Sequence, residues 1–236
     1  QADHMNGLRF IAETFHPKEF WYSGDQVETP SYKDLMRTLE ENNISIKLPE
    51  QLQEKILING AEIEVLYPEP GVGAPRLKLG HSPTLMPSDG KELNNRSMVV
   101  RISYAGTSIL FPGDLEEMGE KRLLDRAGNR VHSDILLSPH HGSRTSSSEA
   151  FLKMVAPKVC VISSGEDRFG RFPHPSVLKR LAQMECESIC ISSSGAVTVR
   201  VKSEGFDIHS FLSKDPIENK FFVKSPSVGS KFPHKD

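Results

Sequence analysis

Six residues, Ser138-Pro139-His140-His141-Gly142-Ser143, constrain this chain more than any other stretch, because they follow an apolar run, Ile135-Leu136-Leu137, without a spacer. A short apolar run ended by polar punctuation reads as a buried strand. Side chains alternate across a strand, so two neighbouring imidazoles point apart unless the strand stops. Gly142 permits the stop, since it accepts backbone angles that other residues avoid. The same grammar recurs upstream, where Ser108-Ile109-Leu110-Phe111-Pro112 runs into Gly113-Asp114. At the start of the chain, Asp3-His4 stands before Met5-Asn6-Gly7. Two buried strands that each release a metal-capable side chain, with an Asp-His pair besides, predict one metal site assembled from loops.

Each of these features also has a plainer reading. Asp3 suits a helix N-terminus as a carboxylate, and Asp114 suits a turn or an N-cap. His174, between Pro173 and Pro175, suits a helix start. The histidine pair beside an apolar strand is harder to dismiss, because burying it unpaired is costly. Mixed Asp and His donors select a borderline or hard divalent ion, Zn²⁺ or Mn²⁺, over a thiolate metal. An aspartate can also bridge two such ions about 3.5–4 Å apart, an arrangement that hydrolyses phosphodiesters.

With 236 residues the chain can bury one large core. Its formal net charge of −2 excludes a global basic field. Attraction to nucleic acid would therefore come from a local patch or from bound cations. No apolar run approaches the ~20 residues needed to span a bilayer, so a soluble piece is expected. The chain opens in mid-motif without a methionine and reads as a fragment, with any targeting or membrane segment upstream. Cys160, Cys186 and Cys190 are too few and too late for a disulfide framework and are expected as buried hydrophobes.

Apolar spacing predicts a helix from Gly7 to Phe15 facing inward through Leu8, Ile11, Ala12 and Phe15. Thr29-Pro30 opens a second helix with a hydroxyl cap and a first-turn proline. Strands follow at 44–46, 55–58 and 62–67, the last two joined by Asn59-Gly60. The stretch from Pro68 to Leu93 has no periodicity and reads as a long loop. A hairpin at 97–111 then leads into Gly113-Asp114, and a helix over 115–126 turns Leu115, Met118, Leu123 and Leu124 inward. Strand–helix alternation continues to a helix at 175–184, and three strands over 188–211 close the domain. Mixed hairpins and crossovers argue for a mixed sheet covered by helices.

Taken in order, Asp3-His4-Met-Asn-Gly, Asn94-Asn95-Arg96-Ser97, Phe-Pro-Gly113-Asp114, Ser-Pro-His140-His141-Gly142-Ser143 with Ser146 behind it, and Phe-Pro-His174-Pro resemble the metallo-β-lactamase superfamily. Within it they are most similar to the hydrolase-like domain of ComEC-type competence proteins, which take up DNA. The resemblance implies an α/β fold, the αββα sandwich of two mixed sheets with its first strands missing. It places the domain at 1–212 and leaves 213–236 as a poorly ordered tail. It implies that Asp3, His4, Asp114, His140 and His141 hold one or two divalent ions, Zn²⁺ or Mn²⁺. Asp114 is then the bridging aspartate and His140 the later histidine ligand, with His141 behind it or as a direct ligand. Asn94 falls where many members carry another histidine, and Gln1 where a second ligand would stand.

The function implied is metal-dependent phosphodiester hydrolysis, with DNA, single-stranded or at a duplex end, as substrate. Asp3 and His174 are the expected catalytic residues, His174 stabilising developing charge or protonating the leaving oxygen. Asn94, Ser143, Arg144 and His174 are the expected substrate contacts. Arg76, Lys78, Arg96, Arg144, Arg168 and Arg171 would line a DNA groove. The expected partner besides DNA is an upstream membrane domain of the parent protein, with no lipid binding by this piece. Its expected location is the periplasmic or extracellular face of a bacterial inner membrane. Two rivals stay open: a hydrolase of the same fold acting on a small ester, lactam or nucleotide, and a degenerate, non-catalytic domain that binds DNA or a partner.

Overall fold

In the computed structural model the described residues are 2–25, 28–68, 93–165, 169, 171–212 and 221–222, those at 2, 3, 6, 221 and 222 as backbone only. The centre is a seven-stranded sheet. Strands β3 (Lys55–Ile58), β4 (Ala61–Tyr67), β5 (Val99–Tyr104) and β6 (Thr107–Phe111) form an antiparallel meander. Asn59-Gly60 and Ala105-Gly106 turn two of its corners with both residues at positive φ, the conformation that matches the twist of a two-residue hairpin. Parallel strands β7 (Ile135–Leu137), β8 (Val159–Ile162) and β9 (Glu187–Cys190) extend the sheet beyond β6. Their crossovers contain α3 (Glu117–Ala127), α4 (Glu149–Val155) and α5 (Pro175–Gln183).

Strand alternation decides which face each residue serves. Leu110, Leu136 and Cys160 face the helices and pack with Leu123, Phe151 and Leu181 in the main core. Ile135, Val159 and Ile189 face the other way, onto Phe206 and Ile208. Those two belong to a second, three-stranded sheet of β10 (Val197–Lys202), β11 (Gly205–Ser210) and the two-residue β12 (Phe221–Phe222). Helices thus cover one face of the large sheet and the small sheet covers the other. This is an α/β fold with mixed sheets, as the motifs implied.

A smaller unit precedes it. α1 (Ala2–Phe15) packs on α2 (Pro30–Glu41) through Ala12, Leu35, Leu39 and Ile44. Strands β1 (Glu19–Trp21) and β2 (Ser45–Lys47) pair in parallel around α2. Thr29 caps α2 as its sequence predicted, its hydroxyl accepting from the Tyr32 N–H.

Several expectations need correction. α1 begins at Ala2, so Asp3 and His4 lie inside its first turn and not before it. Ile11 and Phe15, expected inside, are 44% and 67% exposed, because one short partner helix covers only part of α1. Met118 is 57% exposed, because it lies opposite the buried face of α3 formed by Gly119, Glu120, Leu123 and Ala127. Cys160 and Cys186 are buried, but Cys190 is half-buried beside the hydroxyls of Ser164 and Ser192. The long loop after Pro68 and the tail from Ser213 fall almost wholly outside the described residues. Among the described residues, no helix is long and apolar enough to cross a membrane.

Candidate metal centre

Asp114 leaves β6 through a tight exit. Gly113 has φ +60°, and a Cβ there would meet the Ser97 Cβ at 2.8 Å, so only glycine fits both the angle and the space. The Ser97 hydroxyl accepts from the Asp114 N–H at 3.0 Å and fixes the residue as it emerges.

The exit of β7 is more contorted. His140 (φ 47°, ψ 44°), His141 (φ 55°, ψ 22°) and Gly142 (φ 78°) are all left-handed. Gly142 was expected to permit the stop, and the two histidines before it share its left-handed geometry. Left-handed non-glycine residues cost of order 1–3 kcal/mol each and persist only where the surroundings over-determine them. Here they do. The His140 N–H donates to the Gly113 carbonyl at 3.1 Å, joining the two strand exits, and the His174 N–H donates to the Gly142 carbonyl at 2.8 Å. The Ser146 hydroxyl donates to the Pro139 and Ser143 carbonyls. Further along, Glu120 accepts from the N–H groups of Ser147 and Ser148, while Arg180 donates to the carbonyls of Ser146 and Ser147. A Cβ on Gly142 would lie 2.9 Å from the Pro173 Cβ, so the 172–174 segment seats directly on the turn.

These constraints aim His141 at Asp114. Its Nδ1 lies 2.7 Å from the Ser163 carbonyl. A carbonyl only accepts, so Nδ1 carries a proton and Nε2 is the nitrogen turned toward Asp114. Nε2 stands 3.6 Å from Asp114 Oδ1, and His4 Nε2 reaches Asp114 Oδ2 at 3.0 Å. One donor atom from each of His4, Asp114 and His141 lies within 4.8 Å of the others. Burial alone would raise the Asp114 carboxyl. The His4 hydrogen bond and the charges of His4, His140 and His141 outweigh it and hold the group below the usual carboxylate range.

The donor set fits a divalent cation. A cation held between His141 Nε2 and Asp114 Oδ1, 3.6 Å apart, would take a donor from each, with His4 as a third. Two imidazoles and one carboxylate, with further positions open, is the ligand pattern of catalytic zinc.

The other expected residues are placed as follows. His140 turns from the triad to Glu116, its Nδ1 3.4 Å from Oε1. The Asn94 amide donates to the same oxygen at 3.2 Å, and Asn95 Oδ1 accepts from the N–H groups of Glu116 and Gly119. Asn94 and His140 therefore converge on a buried glutamate. His174 is the N-cap of α5, Nδ1 accepting from the Ser176 N–H, so its plainer reading holds for that nitrogen. The Ser143 hydroxyl is turned to Thr145, and Arg144 is exposed. The Asp3 side chain lies outside the described residues, as do Arg76, Lys78 and Arg168. Of the remaining groove candidates, Arg96 pairs with Asp25 at 2.9 Å and Arg171 lies 5.1 Å over the Phe169 ring. Glu116, which no motif flagged, could have been found as an acid two residues beyond Asp114. Phe172 also escaped notice, though its ring lies 5.9 Å from His140 and 6.4 Å from His141.

Comparison with known proteins points to one family. The model of the metallo-beta-lactamase superfamily matches residues 2–166. Competence protein ComA of Neisseria gonorrhoeae is 33% identical over 142 residues, 57% of this chain and 20% of that protein. ComE operon protein 3 of Bacillus subtilis is 25% identical over 201 residues, covering 85% of this chain and 24% of that protein. Recombination protein 2 of Haemophilus influenzae is 34% identical over 121 residues, 51% of this chain and 15% of that protein. These homologues are of the ComEC type. The chain spans no more than about a quarter of the length of these relatives.

Proposed function

Since the chain belongs to the metallo-β-lactamase superfamily, we propose that it is a divalent-metal-dependent phosphodiester hydrolase acting on DNA within a ComEC-type competence protein. The observation that carries this is the meeting of His4, Asp114 and His141 from three separate elements. These residues would hold the ion, and Asp3, beside His4 in the first turn of α1, adds a further carboxylate to this reading. Bound there, Zn²⁺ or Mn²⁺ supplies Lewis acidity and a water of lowered pKa to a phosphodiester.

The protein's own groups do the positioning. The Ser163 carbonyl fixes the His141 ring, and the Ser97 hydroxyl fixes the Asp114 backbone. Glu116, held by Asn94 and Asn95, orients His140 behind the triad. Arg144 offers a guanidinium to a phosphate, and His174, with Nδ1 committed to its helix, offers Nε2 to the leaving oxygen. The parent protein is read as membrane-bound, with this domain on its periplasmic or extracellular side.

Metal analysis of the purified chain, with hydrolysis of single-stranded DNA and bis(p-nitrophenyl) phosphate in Mn²⁺, Zn²⁺ or EDTA, tests the reading. Hydrolysis is expected with metal, and is expected to disappear in EDTA and in Asp114→Asn. Full-strength DNA binding in EDTA with no hydrolysis under any metal would overturn it in favour of a non-catalytic binding domain. Cleavage confined to esters or lactams would overturn the choice of substrate.

A further inference from the structure

Beside the metal centre lies a cavity of about 350 Å³ whose wall includes His4 and Asp114. That is near the lower end of the roughly 300–1,000 Å³ usual for small-molecule sites. Trp21, Tyr22 and Tyr32 give it an aromatic lining. The lining is held in place. Tyr22 follows the last residue of β1, and its N–H donates to the Lys47 carbonyl at 2.9 Å. Its ring lies 6.1 Å from Tyr32 and 6.4 Å from Phe20. The Trp21 indole N–H donates to Glu19 at 3.1 Å, so the indole edge is engaged and its face is what remains to offer.

The charge pattern narrows the occupant. Arg96 also lines the cavity, but its guanidinium is paired with Asp25 at 2.9 Å. Burial, and then the hydrogen bond to Tyr32, push the Tyr22 phenol well above its ordinary value, so it stays neutral. The cavity therefore suits a flat, uncharged group, while the adjoining triad suits an anion bound through a cation. A nucleotide joins those two parts.

We propose that this cavity receives the nucleobase of the nucleotide whose phosphate is held at the metal centre. The base stacks on the aromatic wall, as bases do in single-strand binding sites without regard to sequence. The inference rests on the phosphodiesterase reading for its phosphate half, and on the cavity alone for its base half.

The test uses the single tryptophan of the chain, Trp21, as reporter. Its emission is followed while the protein is titrated with thymidine 5′-monophosphate or with deoxyribose 5-phosphate, in Mn²⁺ and again in EDTA. Saturable quenching by the nucleotide and none by the sugar phosphate is the expected result. Tyr22→Leu should weaken nucleotide binding roughly five- to a hundred-fold, the span that loss of one base stack produces. Tyr22→Phe, which keeps the ring, should bind as the parent does and controls for folding. Equal quenching by both ligands, or by neither in either buffer, overturns the proposal. DNA hydrolysis without base-dependent quenching would sink the base cavity and spare the hydrolase. Quenching without hydrolysis would do the reverse.

Discussion

Asp114 and His141 leave strands of the seven-stranded sheet, whereas His4 rides in the first turn of a helix packed mainly on one other helix. The Asp114 side chain is 7% exposed and that of His4 is 42% exposed. The sheet-borne pair is fixed before any ligand arrives: the strand exits are bonded to each other, and the His141 ring is bonded to Ser163. His4 is joined to that pair by its hydrogen bond to Asp114, while α1 leaves Phe10, Ile11 and Phe15 exposed. One side of the centre is thus preorganised by a deep core, and the other is held by a shallow one. Local stability follows the depth of burial, so a bound ion would tighten the helical side more than the sheet side.

The largest effect should come from the deep core. Phe151→Ala removes a fully buried ring packed among Leu123, Leu152 and Leu181 and is expected to cost about 3–5 kcal/mol in denaturant unfolding. A loss under 1 kcal/mol would mean the sheet side is no deeper than the helical side. Metal linkage comes next. At an ion concentration of 100 Kd, binding stabilises the folded chain by about 2.7 kcal/mol, and this increment should vanish in Asp114→Asn and in EDTA. Hydrogen exchange should find the added protection chiefly in α1, and uniform protection would break the contrast drawn above.

A smaller effect separates the sheet by pH. Asp134 is buried under β6 and β7, where burial pushes its carboxyl up. Lys158 at 2.7 Å and the Ser108 N–H and hydroxyl outweigh that and lower it. A carboxyl lowered in the folded state adds stability above its unfolded pKa of about 4, and that stability is lost as pH falls through the folded value. Asp134→Asn should therefore cost about 1–3 kcal/mol at neutral pH, the penalty for a broken buried bond. It should also flatten the acid limb of the stability curve. An unchanged acid limb would show that Asp134 does not titrate with folding. The smallest effect belongs to the helical side. Thr29→Ala removes the cap of α2 and should cost about 1 kcal/mol, read by exchange in α2 and α1 with the sheet amides unaffected.

The strand exits were legible because their signal is local. An apolar run followed by Gly-Asp or His-His-Gly specifies a buried strand and its end within a few residues. The Thr29-Pro30 cap and the Asn59-Gly60 corner were legible for the same reason. The choice between His140 and His141 was not. Alternation puts neighbouring side chains on opposite sides, but both residues here are left-handed, and that geometry comes from Gly113, Ser146, Pro173 and His174. The inward face of α1 was misread because helical spacing shows which residues share a face and not whether a partner covers it.

By itself the sequence determined the strands, their exits, the metal-capable side chains at those exits and the family they mark. Each rests on residues that are neighbours in the chain, where sterics and hydropathy act without help. Tertiary structure alone decided that His141 meets Asp114 while His140 turns to Glu116. It also brought His4 to the triad and set an aromatic cavity against it. Those outcomes join residues from 24 positions apart, Glu116 and His140, to 110 positions apart, His4 and Asp114, and only the packed fold fixes the distances between them.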